Sequence, residues 1–122
     1  MALAFDIMKG GFSSGAAKAI NGQVQSAVSA AGTSISDATD LTASINVVTT
    51  AAASSGVQLP RCEIGDGIEI LNLGANAVMV YPDHTANQIN NLTAGVGFPL
   101  GANTSVWLRK FTSSRWMAYL SA

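Results

Sequence analysis

The order of apolar and polar residues divides the chain into a first part of small residues and a remainder rich in strand signals. Residues 13–44 carry no aromatic side chain, and every Trp and Tyr lies beyond residue 80. Aromatic residues supply large buried areas, so the first part has little material for a core of its own. We predict an arm over residues 1–12, a small-residue helix or linker over 13–44, and a β domain over 45–122.

The arm has the alternation of a strand. Its apolar residues recur at every second position before two glycines break the pattern, which is typical of a strand with one apolar face. Addition to a sheet edge on another chain and a strand within its own domain both fit this pattern. The side chains available as anchors are Leu3, Phe5, Ile7, Met8 and Phe12.

A thin apolar stripe follows the arm. Ile20, Val24 and Val28 stand four residues apart among alanines and serines, and Gly32 follows them. This spacing favours a short helix that ends at the glycine, with a semi-ordered connection over residues 13–32 as the alternative.

The rest of the chain contains short β-branched runs separated by turn residues. Pro99 places one run at a sheet edge, because proline cannot donate to a neighbouring strand. Seven or eight such strands predict a small β-sandwich or a jelly-roll-like barrel. The predicted strands cover residues 41–50, 57–59, 68–73, 77–81, 88–92, 96–100, 104–111 and 115–120.

Composition and charge indicate assembly with other protein chains. Charged residues make up 11% of the chain, against about 25% in an average protein, and the net charge is −1. Few charges need desolvation when such a surface is buried, so we predict a homo-oligomer. No run of Lys and Arg supports nucleic-acid binding. No apolar segment approaches the roughly 18 residues of a membrane span, and Asp6 interrupts the N-terminal apolar stretch, so we expect synthesis in the cytoplasm without a signal peptide.

The residues that could carry chemistry do not form a catalytic or metal-binding pattern. His84 is the one histidine and Cys62 the one cysteine, and no Gly-x-Ser-x-Gly motif accompanies them. Glu63 and Asp66 lie in a glycine-containing stretch that predicts a solvated turn. Residues 10–18 lack the Gly-Lys-Ser/Thr ending of a phosphate-binding loop. We expect no enzyme activity, no metal and no cofactor.

The aromatic residues of the β domain are the remaining candidates for recognition. These residues could lie in the core, at a subunit interface or on a surface that stacks sugars. Their alternating strand positions favour the core or an interface over sugar binding. The residues concerned are Tyr81, Trp107, Trp116 and Tyr119.

Residues 31–122 resemble structural proteins of tailed-phage particles. The resemblance lies in residues 38–50 and 56–60, and in a series of shorter motifs that follow in the same order. These motifs are Gly65-Asp66, Asn72 with residues 74–77, residues 80–82, Ile89-Asn90, Leu92 and Trp116.

The resemblance implies a compact β domain with a structural role in the virion. Such modules occur as free-standing head proteins and as domains of fibres, and this chain is short and free of repeats. The implied function is a decoration, or cement, protein on the outer capsid surface, bound to the major capsid protein as a trimer. The alternative is a glycan- or receptor-binding module of a fibre or head appendage. In the first case the arm is expected to dock on the capsid protein or on a neighbouring subunit.

Overall fold

Residues 23–121 are described in a computed structural model, and they form strands, turns and loops without a helix. The all-β class is therefore confirmed for this range. No membrane-spanning helix occurs in the same range. Its strands are β1 (Val24–Ser29), β2 (Thr39–Asp40), β3 (Ile45–Thr50), β4 (Gly56–Gln58), β5 (Gly67–Asn72), β6 (Val78–Tyr81), β7 (Gln88–Ile89), β8 (Phe98–Leu100), β9 (Thr104–Thr112) and β10 (Arg115–Leu120).

The strands form two mixed sheets. The larger sheet has the order β1-β3-β5-β9-β10-β7, and the smaller has the order β2-β4-β6-β8. β1, β3 and β5 pair in parallel, as do β2, β4 and β6. From β1 to β6, consecutive strands therefore alternate between the two sheets, and the chain winds through stacked turns as in a β-solenoid. β8, β9 and β10 then continue the sheets in antiparallel fashion.

The turns of the solenoid have similar lengths. In the larger sheet Val24 pairs with Ile45, and Ile45 pairs in turn with Glu69, so two successive turns use closely similar lengths of chain. Each turn covers the inner side chains of the next, and stacking therefore produces one continuous core. The predicted sandwich or jelly-roll-like barrel is not confirmed. The sequence pattern predicted where strands occur, but alternation within a strand does not specify which sheet that strand joins.

Inward-facing side chains of both sheets fill the core. Trp116 on β10 is the largest fully buried side chain, and Asn72 is a fully buried polar residue at the end of β5. Asn72 donates to the carbonyls of Asn76 and Leu100 and accepts from the Gly74 amide, so its burial leaves no polar atom unpaired. The other fully buried apolar residues include Val48, Val57, Ile70, Val80, Ile89, Leu100 and Leu108.

The eight strands predicted from the sequence are all present. Pro99 lies on β8, an edge strand of the smaller sheet, as its missing amide proton requires. The β9–β10 hairpin alternates between Val106 and Leu108 on the buried side and Trp107 and Phe111 on the exposed side. At Pro99 and along the β9–β10 hairpin, the local sequence therefore predicts both the position of the strand and which of its side chains are buried.

β1 corrects the prediction of a helix near residues 13–32. Residues 24–29 form a strand that pairs in parallel with β3, so the sheet already includes Val24, upstream of the predicted domain start at residue 45. A spacing of four residues predicts a shared face in a regular strand as well as in a helix, but the register of β1 is irregular between Gln25 and Val28, so Val24 is exposed and Val28 is buried. Val28 is buried beside Val48, and this tertiary contact decides for the strand. Residues 13–22 and the arm lie outside the described residues.

Candidate functional site

A row of side chains crosses the outward surface of the larger sheet. The register places Val24 beside Ile45, Ile45 beside Glu69, Glu69 beside Trp107, and Trp107 beside Tyr119. Side chains in register on neighbouring strands point to the same side of a sheet. Val24, Trp107 and Tyr119 are exposed. The term outer face is used below for Val24, Ile45, Glu69, Trp107, Arg109, Phe111, Met117 and Tyr119.

Trp107 lies at the centre of an aromatic and cationic cluster on the outer face. Its ring centroid is 5.6 Å from that of Tyr119, with the two ring planes tilted by 37°. The guanidinium carbon of Arg109 lies 4.5 Å from the Trp107 ring centroid, within cation–π range. Gly67 permits this placement, because a Cβ at that position would lie 3.0 Å from the Trp107 indole nitrogen.

The cluster has the composition of a protein-binding surface. Trp, Tyr and Arg are the residues that contribute most often to binding energy at protein interfaces. The Arg109 guanidinium lies over the Trp107 ring and Gly67 lies close to its indole edge, while the side chain of Trp107 is 38% exposed. Tyr119 is 53% exposed and is the more open ring.

Two of the four aromatic residues singled out from the sequence lie elsewhere. Trp116 is fully buried, and Tyr81 is buried with its hydroxyl donating to the Thr33 carbonyl at 3.2 Å. Trp116 and Tyr119 are three residues apart on β10, so they face opposite sides of the sheet. The structure therefore retains Trp107 and Tyr119 as candidate interface residues and assigns Tyr81 and Trp116 to the interior.

A polar cleft of about 550 Å³ lies where the loop after β6 meets β9. Within it, the Lys110 ammonium donates to Asp83 Oδ2 at 2.7 Å and to the Cys62 carbonyl at 3.0 Å. The Trp116 indole and the Asn87 side-chain amide both donate to Asp83 Oδ1, at 3.0 and 2.7 Å. Each of these donors has an acceptor within the cluster, so the hydrogen bonds hold the loop after β6 against β9 and β10.

The charge state of Asp83 follows from these contacts. Burial by itself raises the pKa of Asp83, because it disfavours the charged form. Hydrogen bonds from Lys110, Asn87 and Trp116 act in the opposite direction and outweigh burial, so the pKa lies below its ordinary value. Asp83 is thus held as a carboxylate and acts as an acceptor, whereas a general acid would need a proton to give.

His84 and Cys62 are the two residues of the cleft considered above for a chemical role. His84 is exposed, and its Nδ1 accepts the Ala86 amide at 3.0 Å within the same loop. Burial and the nearby carboxylates of Asp66 and Asp83 raise the pKa of the Cys62 thiol to about 11. A thiol with this pKa is protonated at neutral pH and is a poor nucleophile or metal ligand.

The acidic stretch after Cys62 folds as a turn. Asp66 Oδ2 accepts the Glu63 amide at 2.9 Å, and Gly65 has a φ of 97°, which favours glycine. Within residues 23–121, no group of three or more His, Cys, Asp or Glu side chains is arranged to hold a metal ion.

Sequence reasoning missed most of the outer face and the buried ion pair. Val24, Ile45 and Glu69 join the row only through strand pairing between distant segments, for which the sequence carries no local signal. For Lys110 a signal existed, because it continues the buried alternation of Val106 and Leu108. The arm residues Leu3, Phe5, Ile7, Met8 and Phe12 lie outside the described residues.

No family model matches the chain, and searches of curated proteins and of solved structures also found no match.

Proposed function

We propose that this chain is a structural component of a tailed-phage particle, a decoration protein that binds the outer capsid surface. The proposal joins the resemblance of residues 31–122 to phage particle proteins with the character of the outer face. The major capsid protein is the proposed partner, and the proposed assembly is a homotrimer in which each copy contributes one outer face.

The exposed cluster of Trp107, Tyr119 and Arg109 is the observation that carries the proposal. Isolated exposed apolar residues are common on proteins, but a contiguous row that includes two aromatic rings marks an interaction site. Glu69 and Arg109 add one charge of each sign beside the rings. A partner of mixed polar and apolar character would match such a surface.

Stabilisation of a capsid follows from contact area and copy number. A protein that spans neighbouring capsid subunits adds contacts that must break before those subunits separate. A standard stable interface buries about 800 Å² on each partner, and several joined copies hold more strongly than one because they act at a high effective concentration.

Glycan or receptor binding by a fibre or head appendage is the second candidate. The exposure of Tyr119 favours it, since an open tyrosine ring can stack on a sugar. The cover of Arg109 on Trp107 disfavours it, because a second stacking ring beside Tyr119 is then missing.

Location and copy number in purified particles test the proposal. We expect quantitative mass spectrometry of virions to give copies in proportion to the major capsid protein, and immunogold labelling to mark the head. A few copies at the tail would instead support the receptor-binding candidate. Absence from purified particles would overturn both.

A further inference from the structure

The outer face carries hydrogen-bond donors that have no acceptor within residues 23–121. Arg115, on the strand next to β9, donates to the Gln88 side chain at 2.9 Å. In the same range, the Arg109 guanidinium and the Trp107 indole nitrogen make no hydrogen bond, and Arg109 takes part in no ion pair. The Trp107 ring attracts the positive charge of Arg109 but offers no lone pair, so the guanidinium N–H groups remain available to a partner.

The Trp107 ring holds this cationic group in place. The guanidinium carbon lies 4.5 Å from the ring centroid, so a partner that binds it loses less side-chain entropy than it would with a free arginine. Gly67, the register partner of Arg109 on β5, has no side chain that could cover the guanidinium. The Trp107 indole nitrogen also lies next to Gly67, 3.0 Å from the point that a Cβ there would occupy. The two donor groups therefore flank the same glycine on the exposed side of the sheet.

We propose that Arg109 is the binding site for a carboxylate side chain, of Asp or Glu, that a protein partner presents to the outer face. A carboxylate has two acceptor oxygens that match the fork of a guanidinium, and its charge complements an arginine without an ion-pair partner. Met117, the register partner of Arg109 on β10, and Tyr119 add exposed apolar surface, which suits a protein segment with apolar residues next to its acidic one. The choice of a protein partner rests on the proposed function, whereas the carboxylate follows from the contacts of Arg109 and Trp107.

Glu69 makes the sign of the partner's charge measurable. It stands beside Trp107 in the register and two positions from Gly67, so it shares the outer face with Arg109 without forming an ion pair with it. A carboxylate docked at Arg109 is repelled by a second carboxylate on the same surface, and in water this repulsion amounts to about twofold in affinity. Removal of the Glu69 charge should therefore strengthen binding of a carboxylate, whereas it would weaken binding of a cationic group.

Nuclear magnetic resonance of the full chain tests the carboxylate site without any partner. Sodium acetate is the probe, and sodium chloride at equal ionic strength is the reference. We expect acetate to shift the Trp107 indole N–H resonance further than chloride does, and to leave the resonance of the buried Trp116 indole in place. Arg109→Gln should remove the difference between the two salts. Equal shifts in acetate and chloride for the parent chain would overturn the proposal.

Binding to phage particles that lack this protein tests whether a protein partner supplies the carboxylate. Co-sedimentation measures the affinity of each purified chain. We expect Arg109→Gln to weaken binding at least about tenfold, because it removes charge-assisted hydrogen bonds, and Arg109→Lys to recover only part of this loss, because lysine lacks the fork. Arg61→Gln is the matched control. Arg61 is exposed in the loop between β4 and β5, which is not part of the outer face, and its replacement changes the net charge equally.

The outcomes separate the carboxylate site from the proposed function. No binding by the parent chain would overturn the proposed function and with it the protein source of the carboxylate, and the acetate experiment would still decide whether Arg109 binds one. We expect Glu69→Gln to bind particles about twofold more tightly than the parent chain. Equal losses in Arg109→Gln and Arg61→Gln, or weaker binding by Glu69→Gln, would overturn the carboxylate site even where the parent chain binds.

Discussion

The Lys110 ammonium and the Asp83 carboxylate form a buried ion pair, with 2.7 Å between Nζ and Oδ2 and with side chains that are 9% and 3% exposed. Asp83 sits in the loop after β6, and Lys110 is on β9, so the pair joins the smaller sheet to the larger one. Three donors surround one carboxylate. This cluster therefore links the two sheets, and its contribution to the free energy of unfolding can be measured.

Removal of one partner should destabilise the fold strongly. We expect Lys110→Met to lower the free energy of unfolding by about 3 kcal/mol, because a buried carboxylate then loses its counter-ion. Asp83→Asn should act in the same direction, and the double variant should cost less than the two single changes together. Urea denaturation of the four proteins gives the coupling energy. Strict additivity would show that the pair behaves as a solvent-exposed one.

Stability should fall in acid through the titration of Asp83. The pKa of Asp83 is lower in the folded protein than the ordinary value of 3.8, so the folded state favours the charged form. The stabilisation is fully present above pH 3.8 and is lost as the pH falls below that value towards the folded pKa. Urea midpoints at several pH values measure this loss.

Asp83→Asn provides the control for the acid prediction. Hydrogen bonds from Ser34 also lower the pKa of Asp37, so part of the pH dependence must remain in this variant. We expect the slope of stability against pH below 3.8 to be smaller in Asp83→Asn than in the parent chain. An unchanged slope would show that the titration of Asp83 does not cause the loss of stability in acid.

The two tryptophans should respond differently to substitution. Trp116→Phe keeps an aromatic ring but removes the donor to Asp83, and we expect a loss of about 1–3 kcal/mol. Trp107→Ser on the outer face should change stability by less than about 1 kcal/mol, as surface substitutions generally do. Thermal or urea unfolding distinguishes the two. A larger loss at Trp107 than at Trp116 would contradict the assignment of inner and outer faces.

Cys62 should react slowly with alkylating agents. Burial and nearby carboxylates raise the pKa of its thiol to about 11, so little thiolate exists at neutral pH. We expect iodoacetamide to modify the folded chain more slowly than the same chain in urea. Mass spectrometry of timed samples gives both rates. Faster reaction in the folded chain would indicate an activated thiol.

The sequence predicted the strands better than their arrangement. The hairpin of β9 and β10 was predictable because alternation and a short turn are local properties, and Trp107 and Leu108 took the sides that alternation assigns. β1 was not predictable, because a spacing of four residues predicts a shared face in a helix and in a regular strand, whereas the irregular register that puts Val24 and Val28 on opposite sides arises only on pairing with β3. Pairing between segments as distant in the chain as β1 and β3 leaves no comparable local pattern.

The candidate site was predictable in part for the same reason. Trp107 and Tyr119 lie at exposed strand positions, and their role at an interface stays a prediction, whereas Trp116 faces inward in a hairpin register that pairs it with the buried Lys110. Arg109 joins the cluster because its neighbour on β5 is Gly67, which leaves room for the Trp107 ring. A close approach of this kind appears only when the sheet is assembled.

Binding to phage particles is the central claim, and a reconstitution experiment tests it most directly. Under the proposed function, particles of the tailed phage proposed to encode this chain are prepared without it and are mixed with purified parent chain, with Trp107→Ser/Tyr119→Ser, or with Val96→Ser. Val96 is a matched control, because it is an exposed apolar residue in the loop between β7 and β8, outside the outer face.

Co-sedimentation with the particles measures the amount of each chain bound. We expect the parent and Val96→Ser to bind equally and the double variant to bind at least about tenfold more weakly, because two interface side chains of this kind commonly contribute more than about 1.4 kcal/mol together. Parent-level binding by a folded double variant, or no binding by the parent chain, would contradict the account.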